Sequence, residues 1–297
     1  MNSPIQQDTV WRRVAIAMPY IWLLVFFLTP FVIILKISLA DPAIAQPPYT
    51  PTIDEHGNIG ITFDNFVFLL TDKLYSLTYL KSLVLAGCAT LFALLLGFPM
   101  AYGISRADAA TRSLLLLLII LPFWISFLLR VYAWMGLMNN YGVINNTLMW
   151  LGLIDQPIQI MYTDFAVLVG LTYSYLPFMV LPLYATLEKL NLDLVEAAQD
   201  LGASSTRAFW DVTWPLARPG VIAGCLLVFI PATGEYVITY LLGGPNSMLI
   251  GRVLFEEFFA NRDWPLASAV AIVMLLLLIA PIMLLQHYRL RDKERAA

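Results

Sequence analysis

Two ionisable side chains, Arg130 and Glu235, stand inside long apolar stretches of this sequence. A carboxylate or guanidinium at the middle of a bilayer costs about 2.5–3.5 kcal/mol on insertion scales, so both groups should face protein or water. At about 1.5 Å per residue, Arg130 lies roughly 25 Å and Glu235 roughly 23 Å along their apolar segments, which predicts a similar depth. Two hypotheses follow. Glu235 binds an amine of a cationic ligand, or Arg130 and Glu235 form an ion pair between two helices.

Aromatic residues in the apolar stretches support the hypothesis that Glu235 binds an amine. Glu235 is followed by Tyr236, and Trp134 and Tyr175 lie in neighbouring apolar stretches. Aromatic faces attract amines by cation–π contact, so these four residues are the candidates for a substrate pathway. The competing interpretation is that Trp and Tyr near the ends of membrane spans anchor the helices at the lipid interface.

The sequence offers no residues for catalysis. The two histidines, His56 and His287, are far apart, and Cys88 and Cys225 lie inside apolar runs as small buried hydrophobes. No Gly-x4-Gly-Lys-Ser/Thr loop is present, so the chain is not expected to hydrolyse ATP. We expect no enzyme activity, no metal site and no cofactor within this chain. The net charge of -3 also argues against a nucleic-acid partner.

The composition predicts a membrane protein. Of the 297 residues, 60% are hydrophobic and only 12% are charged, and the mean hydropathy is +0.77. Apolar runs long enough to span predict an all-α polytopic fold with six transmembrane helices. The predicted spans are residues 14–37, 78–105, 113–138, 164–187, 219–242 and 264–287. The predicted connections are residues 1–13, 38–77, 139–163 with a short interfacial helix, 188–218, 243–263 and 288–297.

The distribution of basic residues predicts the orientation. Eleven of the 17 Lys and Arg residues fall in the two terminal tails, residues 106–112 and residues 188–218, against six elsewhere. Basic residues favour the cytoplasmic side. Both termini and segment 188–218 are therefore predicted to be cytoplasmic.

Segment 188–218 has the pattern of a docking helix followed by a turn. Its apolar residues recur at helical spacing, at Leu194, Ala197, Ala198 and Leu201. Asp193 is a candidate N-cap, and Glu196 three residues later suggests a capping box. Gly202 suits the left-handed position that ends a helix, and Ser204 or Ser205 can cap a second helix. An amphipathic helix of this kind commonly lies in a groove of a cytoplasmic partner.

Here the sequence resembles the permeases of ATP-binding cassette (ABC) importers. Glu196-Ala197-Ala198, three residues, Gly202, nine residues and Val212-Thr213-Trp214-Pro215 look like the EAA loop of that family. Val212 and Trp214 replace the family's Ile and Leu, and both stay apolar. Three further stretches, Leu121–Gly136, Gly234–Pro245 and Asn261–Ala267, resemble the first of the two dissimilar permeases of putrescine/spermidine importers.

The resemblance implies the type I ABC importer permease fold in the bacterial inner membrane. It implies a second permease, a cytoplasmic ATPase dimer that holds the ATP and magnesium, and a periplasmic polyamine-binding protein as partners. It also implies that the first loop helix is a coupling helix, with Glu196, Ala197, Ala198, Gly202 and Pro215 coupling it to the ATPase. The alternatives are a permease for another small solute, such as an amino acid, sulfate or ferric ion, or a secondary transporter.

Overall fold

The structure is a computed structural model that describes residues 7–51 and 60–296, with side chains at 11–51, 60–280 and 283. His56 lies outside the described residues. The described chain is helical and contains no β-strand. Its α-helices are α1 Gln7–Leu23, α2 Thr29–Ser38, α3 Asp64–Thr71, α4 Lys73–Arg106, α5 Ala109–Ile120, α6 Phe127–Met138, α7 Val143–Trp150, α8 Asp164–Leu187, α9 Asp193–Asp200, α10 Ser205–Ala208, α11 Trp214–Thr233, α12 Val237–Leu242, α13 Ile250–Phe255 and α14 Trp264–Ala296.

The helices form two compact units. The first unit joins the two ends of the chain, Met1–Lys73 and Leu254–Ala297. In it α2 and α3 pack against α14. The buried Asn65 amide fixes the start of α3 by donating to the carbonyls of Ser38 and Ala40, at 3.0 and 2.9 Å. These bonds satisfy carbonyls left over at the end of α2.

The second unit, Leu74–Val253, is built around the pair α8 and α11. Gly220 and Gly224 lie one turn apart on α11 and allow α8 to approach α11 closely. A Cβ at Gly220 would stand 2.9 Å from the Pro182 carbonyl oxygen, and one at Gly224 would stand 2.6 Å from the Met179 sulfur. In lipid the hydrophobic effect does not drive helices together, so their association depends on close packing. Small residues at the contact let the two backbones approach closely.

The third predicted span, residues 113–138, is not a straight helix. Its first part, α5, begins earlier, at Ala109, where the Asp108 carboxylate accepts from the Thr111 backbone N–H at 3.1 Å. Hydrogen bonds from Thr111 lower the pKa of this carboxyl, which keeps the cap ionised. A 3₁₀ turn, Leu121–Trp124, follows, and the next helix leaves at 93°. Pro122 lacks the N–H that would continue α5, and this explains the break.

The fifth predicted span, residues 219–242, is not one continuous helix either. One helical run of 29 residues, Ser205–Thr233, contains α10, a π-helical turn and α11. It begins inside segment 188–218 and ends before Gly234, and the separate helix α12, Val237–Leu242, covers the end of the predicted span. Segment 188–218 and the fifth predicted span therefore share one helical run, Ser205–Thr233, which is called the rod below. The sequence pattern did not predict this.

Four helical runs in the described part of the chain are long and apolar enough to cross a membrane, or five if the bent pair counts as one span. In the last helix, Trp264–Ala296, the described side chains include the apolar stretch Trp264–Ala280. The count of six spans, their limits and the orientation stay predictions. The predicted interfacial helix between residues 139 and 163 coincides with α7, Val143–Trp150.

Candidate functional site

The helix α9 exposes its apolar face. Leu201 is 90% exposed and Leu194 is 50% exposed, and Ala197 is exposed beside them. Glu196 lies in the first turn of α9 and is exposed too, and Ala198 is half-buried. The face that the sequence assigns to docking is thus not covered by the described part of the chain.

A tight turn ends α9 at Gly202. The residue has φ +90°, and its N–H donates to the Gln199 carbonyl at 2.8 Å. The Ala203 N–H donates to the Ala198 carbonyl at 3.0 Å. This pair of bonds is the Schellman motif, which requires a left-handed residue at the glycine position. The structure confirms the predicted left-handed turn at Gly202.

The start of α9 corrects one prediction. Asp193 is the first helical residue and makes no cap hydrogen bond with its side chain. The Asn191 side-chain oxygen instead accepts from the Asp193 N–H at 3.0 Å. Asn forms such turns as well as Asp does, and the N-cap position is Leu192, one residue earlier than the capping-box pattern suggested.

An aromatic cluster fixes the second half of the loop to α4. Ser204 caps the run from Ser205 by accepting from the Arg207 N–H at 3.3 Å. Phe209 packs edge-on against Phe98 with ring centroids 5.6 Å apart, and Trp214 lies 5.5 Å from the same ring. Pro215, partly buried, follows a π-helical turn, where its missing N–H leaves a gap in the helical bonding. The cluster ties the loop to the core of the unit.

Glu235 lies at the break between α11 and α12. One of its carboxylate oxygens, Oε1, accepts from the backbone N–H groups of Val237 and Ile238, at 3.0 and 3.3 Å. The other, Oε2, accepts from the Tyr175 hydroxyl of α8. A carboxylate near the first turn of a helix satisfies unpaired donors and is favoured by the helix dipole. The structure thus brings together two of the pathway candidates, Glu235 and Tyr175.

The predicted ion pair between Arg130 and Glu235 is absent. Among the described residues Glu235 takes the donors named above, whereas the Arg130 guanidinium lies over the rings of Phe123 and Phe127, at 5.3 and 5.5 Å. Arg130 is 8% exposed. The 93° bend places Phe123 across from the first turn of α6, so aromatic faces rather than the carboxylate hold this cation.

The remaining two pathway candidates lie differently. Trp134 packs edge-on against Tyr173 at 5.3 Å, and both line an apolar cavity of about 370 Å³ that Glu235 and Tyr175 do not line. Residues 173 and 175 point to different sides of α8, because helix neighbours two apart do not share a face. Tyr236 follows Glu235 in the chain, and its ring lies tilted against that of Tyr240 with the centroids 5.5 Å apart. Trp134 is therefore not part of the Glu235 cluster.

Comparison with known proteins gives the family. Residues 89–291 match the family described as "Binding-protein-dependent transport system inner membrane component", which covers more than half of the chain. The chain belongs to this family. It is a membrane component of a transport system, and its predicted absence of catalytic function agrees with that membership.

Two relatives within this family are similar over most of their length. The spermidine/putrescine transport system permease protein PotB of Escherichia coli (strain K12) is 46% identical over 77% of this chain and 82% of its own. The protein of the same name from Haemophilus influenzae is 38% identical over 94% of this chain and 93% of its own.

A solved structure confirms the fold. A chain of the bacterial ABC transporter involved in import of the acidic polysaccharide alginate superposes with a TM-score of 0.72 and 19% identity, covering 97% of this chain and 99% of that one. At 19% identity the similarity shows the fold alone. The predicted all-α permease fold of ABC importers is confirmed.

Proposed function

We propose that this chain is one of two permeases of an ATP-driven importer and that it carries putrescine or spermidine across the inner membrane. The observation that supports this most is the 38% identity with a spermidine/putrescine permease over 94% of the chain. A second permease, a cytoplasmic ATPase dimer and a periplasmic binding protein complete the transporter. The ATP and magnesium belong to the ATPase.

In this proposal α9 seats in a cleft of the ATPase. Its exposed leucines, Leu194 and Leu201, supply the apolar surface that a groove-binding helix needs. Glu196 adds a negative charge at the exposed rim, where it meets a basic group, and the small Ala197 allows close approach. The Schellman turn at Gly202 fixes the angle between this helix and the rod that follows.

The rod transmits the motion of the ATPase to the membrane. Ser205–Thr233 is one helical run of 29 residues, about 43 Å long at about 1.5 Å per residue. Its loop end carries the cluster with Phe98, and its other end adjoins Gly234 and Glu235. Closure of the ATPase dimer therefore displaces the helices around Glu235 directly, which is the kind of rigid-body movement that opens a pathway on alternate sides.

Glu235 is the group that we assign to the amine of the substrate. Glu235 is half-buried and its carboxylate accepts from the Tyr175 hydroxyl, so a cation arriving there exchanges water for a charged acceptor beside an aromatic residue. Hydrogen bonds to charged groups contribute about 1.5–3 kcal/mol. This carboxylate has no basic partner among the described residues that would have to be displaced first.

Uptake of radiolabelled putrescine and spermidine tests the proposal. A bacterial strain that lacks this chain but keeps its partner subunits should take up little of either compound, and expression of the chain should restore uptake at least about tenfold. Depletion of cytoplasmic ATP should abolish the restored uptake. Excess unlabelled sulfate or amino acids, as controls, should not compete.

Three outcomes would contradict it. Restored uptake of an amino acid, sulfate or ferric ion without polyamine uptake would assign another solute. Polyamine uptake that persists without ATP but collapses with the proton gradient would indicate a secondary transporter. Equal uptake with and without the chain would remove any role in polyamine import.

A further inference from the structure

The first turn of α13 packs directly on the break between α11 and α12, residues 234–236, that carries Glu235. A Cβ at Gly251 would stand 2.2 Å from the carbonyl oxygen of Gly234 and 3.1 Å from that of Glu235. Real Cβ atoms essentially never make such contacts below 3.0 Å, so any residue other than glycine at 251 requires one of the two backbones to move. Gly251 is buried and lies in the same unit as the break.

The backbone of Glu235 is held only loosely by the helix that precedes it. Its N–H donates to the Ala232 carbonyl at 3.5 Å, whereas such bonds usually measure about 2.7–3.2 Å. Its carbonyl accepts from the Thr239 hydroxyl at 3.2 Å. Because the regular helical bonding is interrupted at this residue, the packing of Gly251 against the same carbonyl contributes to where the Glu235 backbone lies.

Ser82 of α4 fixes the start of α13. Its hydroxyl oxygen accepts from the Ile250 N–H at 2.8 Å, and the hydroxyl donates to the Thr78 carbonyl, also at 2.8 Å. Ser82 and Ile250 are both 0% exposed. Since a buried N–H without an acceptor is unfavourable, this bond holds Ile250, and with it the adjoining Gly251, against α4. Through these two residues α4 supports the break.

We propose that Gly251 is a positioning residue for Glu235, and that Ser82 supports it by fixing the start of α13. The inference rests on the proposed function, in which the Glu235 carboxylate binds the substrate amine. That carboxylate bonds at the same time to two N–H groups of α12 and to the Tyr175 hydroxyl. All three bonds depend on the position of the Glu235 backbone, which Gly251 contacts.

Equilibrium binding of radiolabelled spermidine to the transporter complex, purified without its periplasmic binding protein, tests this role. Gly251→Ala should raise the Kd about tenfold at a normal yield of complex. The contact at the Gly234 carbonyl must open by about 1 Å, and a misplacement of that size costs an enzyme up to about 100-fold. Glu235→Gln should also raise the Kd at least about tenfold. The double variant should bind no more weakly than Glu235→Gln alone, because Gly251 acts through the carboxylate.

A second variant and two controls separate positioning from general damage. Ser82→Ala should raise the Kd about threefold, because the Ile250 N–H loses its acceptor. Its control is Thr90→Val, since Thr90 is buried on the same helix and its hydroxyl donates within that helix, to the Ala86 carbonyl at 2.7 Å. The control for the added methyl group is Gly87→Ala, because a Cβ at Gly87 meets no atom within 4 Å. Both controls should bind spermidine as the wild type does.

The results that overturn the inference differ from those that overturn the proposed function. Weakened binding in Glu235→Gln with wild-type binding in Gly251→Ala would show that Gly251 does not position the carboxylate. A double variant about tenfold weaker than Glu235→Gln alone would show that Gly251 acts independently of it. If Gly251→Ala does not assemble, unchanged binding in Ser82→Ala overturns the inference. Wild-type binding in Glu235→Gln, or no spermidine binding by the wild type, would contradict the proposed role of Glu235 itself and this inference with it.

Discussion

Gly202→Val is expected to reduce polyamine uptake at least about tenfold while the protein stays in the membrane at its normal level. Gly202 has φ +90°, and its bonds to the last turn of α9 require that conformation. A β-branched residue there costs about 1–3 kcal/mol, and tenfold corresponds to about 1.4 kcal/mol. The strain is relieved by turning α9 away from the rod, which misplaces the coupling surface. Labelled uptake and the amount of co-purified ATPase are the measurements.

The matched control for this change is Gly202→Asn. Asn tolerates the left-handed region, so this variant should keep most of the uptake although it also adds a side chain. Space is not the issue, because a Cβ at Gly202 meets no atom within 4 Å. Normal uptake and normal ATPase recruitment by Gly202→Val would refute the role of this turn in coupling. Equal loss in both variants would point to side-chain bulk at the ATPase surface instead.

Glu235→Gln is expected to lower polyamine uptake at least about tenfold without lowering the yield of assembled transporter. The amide oxygen of Gln can still accept from the N–H groups of Val237 and Ile238, so the start of α12 keeps its cap. The negative charge that binds the substrate amine is lost. A hydrogen bond to a charged group contributes about 1.5–3 kcal/mol, which sets the size of the effect. Uptake at saturating and limiting polyamine concentrations is the measurement.

Tyr175→Phe is the companion variant. It removes the hydroxyl that donates to Glu235 and leaves both the carboxylate and the aromatic face. We expect a smaller loss of uptake than in Glu235→Gln, because the charge remains. Wild-type uptake in Glu235→Gln would exclude the carboxylate from the pathway. Loss of folded transporter in Glu235→Gln would instead assign Glu235 a structural role.

The loop could be predicted well from the sequence because its signals are local. The turn at Gly202 and the cap at Ser204 each depend on a few neighbouring residues, and both are present as predicted. The predicted cap of α9 was wrong by one residue, because Leu192 holds the N-cap position. Asn191 and Asp193 offer similar side chains, and only the path of the chain decides which of them bonds to the backbone. Element type is thus better determined by local sequence than element limits are.

The surroundings of Glu235 depend on contacts distant in sequence and could not be predicted in the same way. Equal depth along two spans made an ion pair with Arg130 reasonable, but depth does not specify which face of a helix a residue occupies. The break at Gly234 turns Glu235 toward α12 and Tyr175, and the bend after Pro122 turns Arg130 toward Phe123 and Phe127. Pro122 and Gly234 were visible signals of both breaks, although neither residue gives the direction of the bend.

Cross-linking from α9 tests the central claim, that this helix couples the chain to an ATPase. Two variants are made in a background that lacks Cys88 and Cys225. In the test variant, Leu201→Cys carries a thiol–amine cross-linker. In the control variant, Tyr141→Cys carries the same cross-linker on the side predicted to be periplasmic. Both native side chains are highly exposed, at 90% and 83%. We predict that Leu201→Cys links to the ATPase subunit, with a yield that changes when ATP is added, and that Tyr141→Cys does not. A link from Tyr141→Cys, or none from Leu201→Cys in a complex that still imports polyamine, would contradict the account.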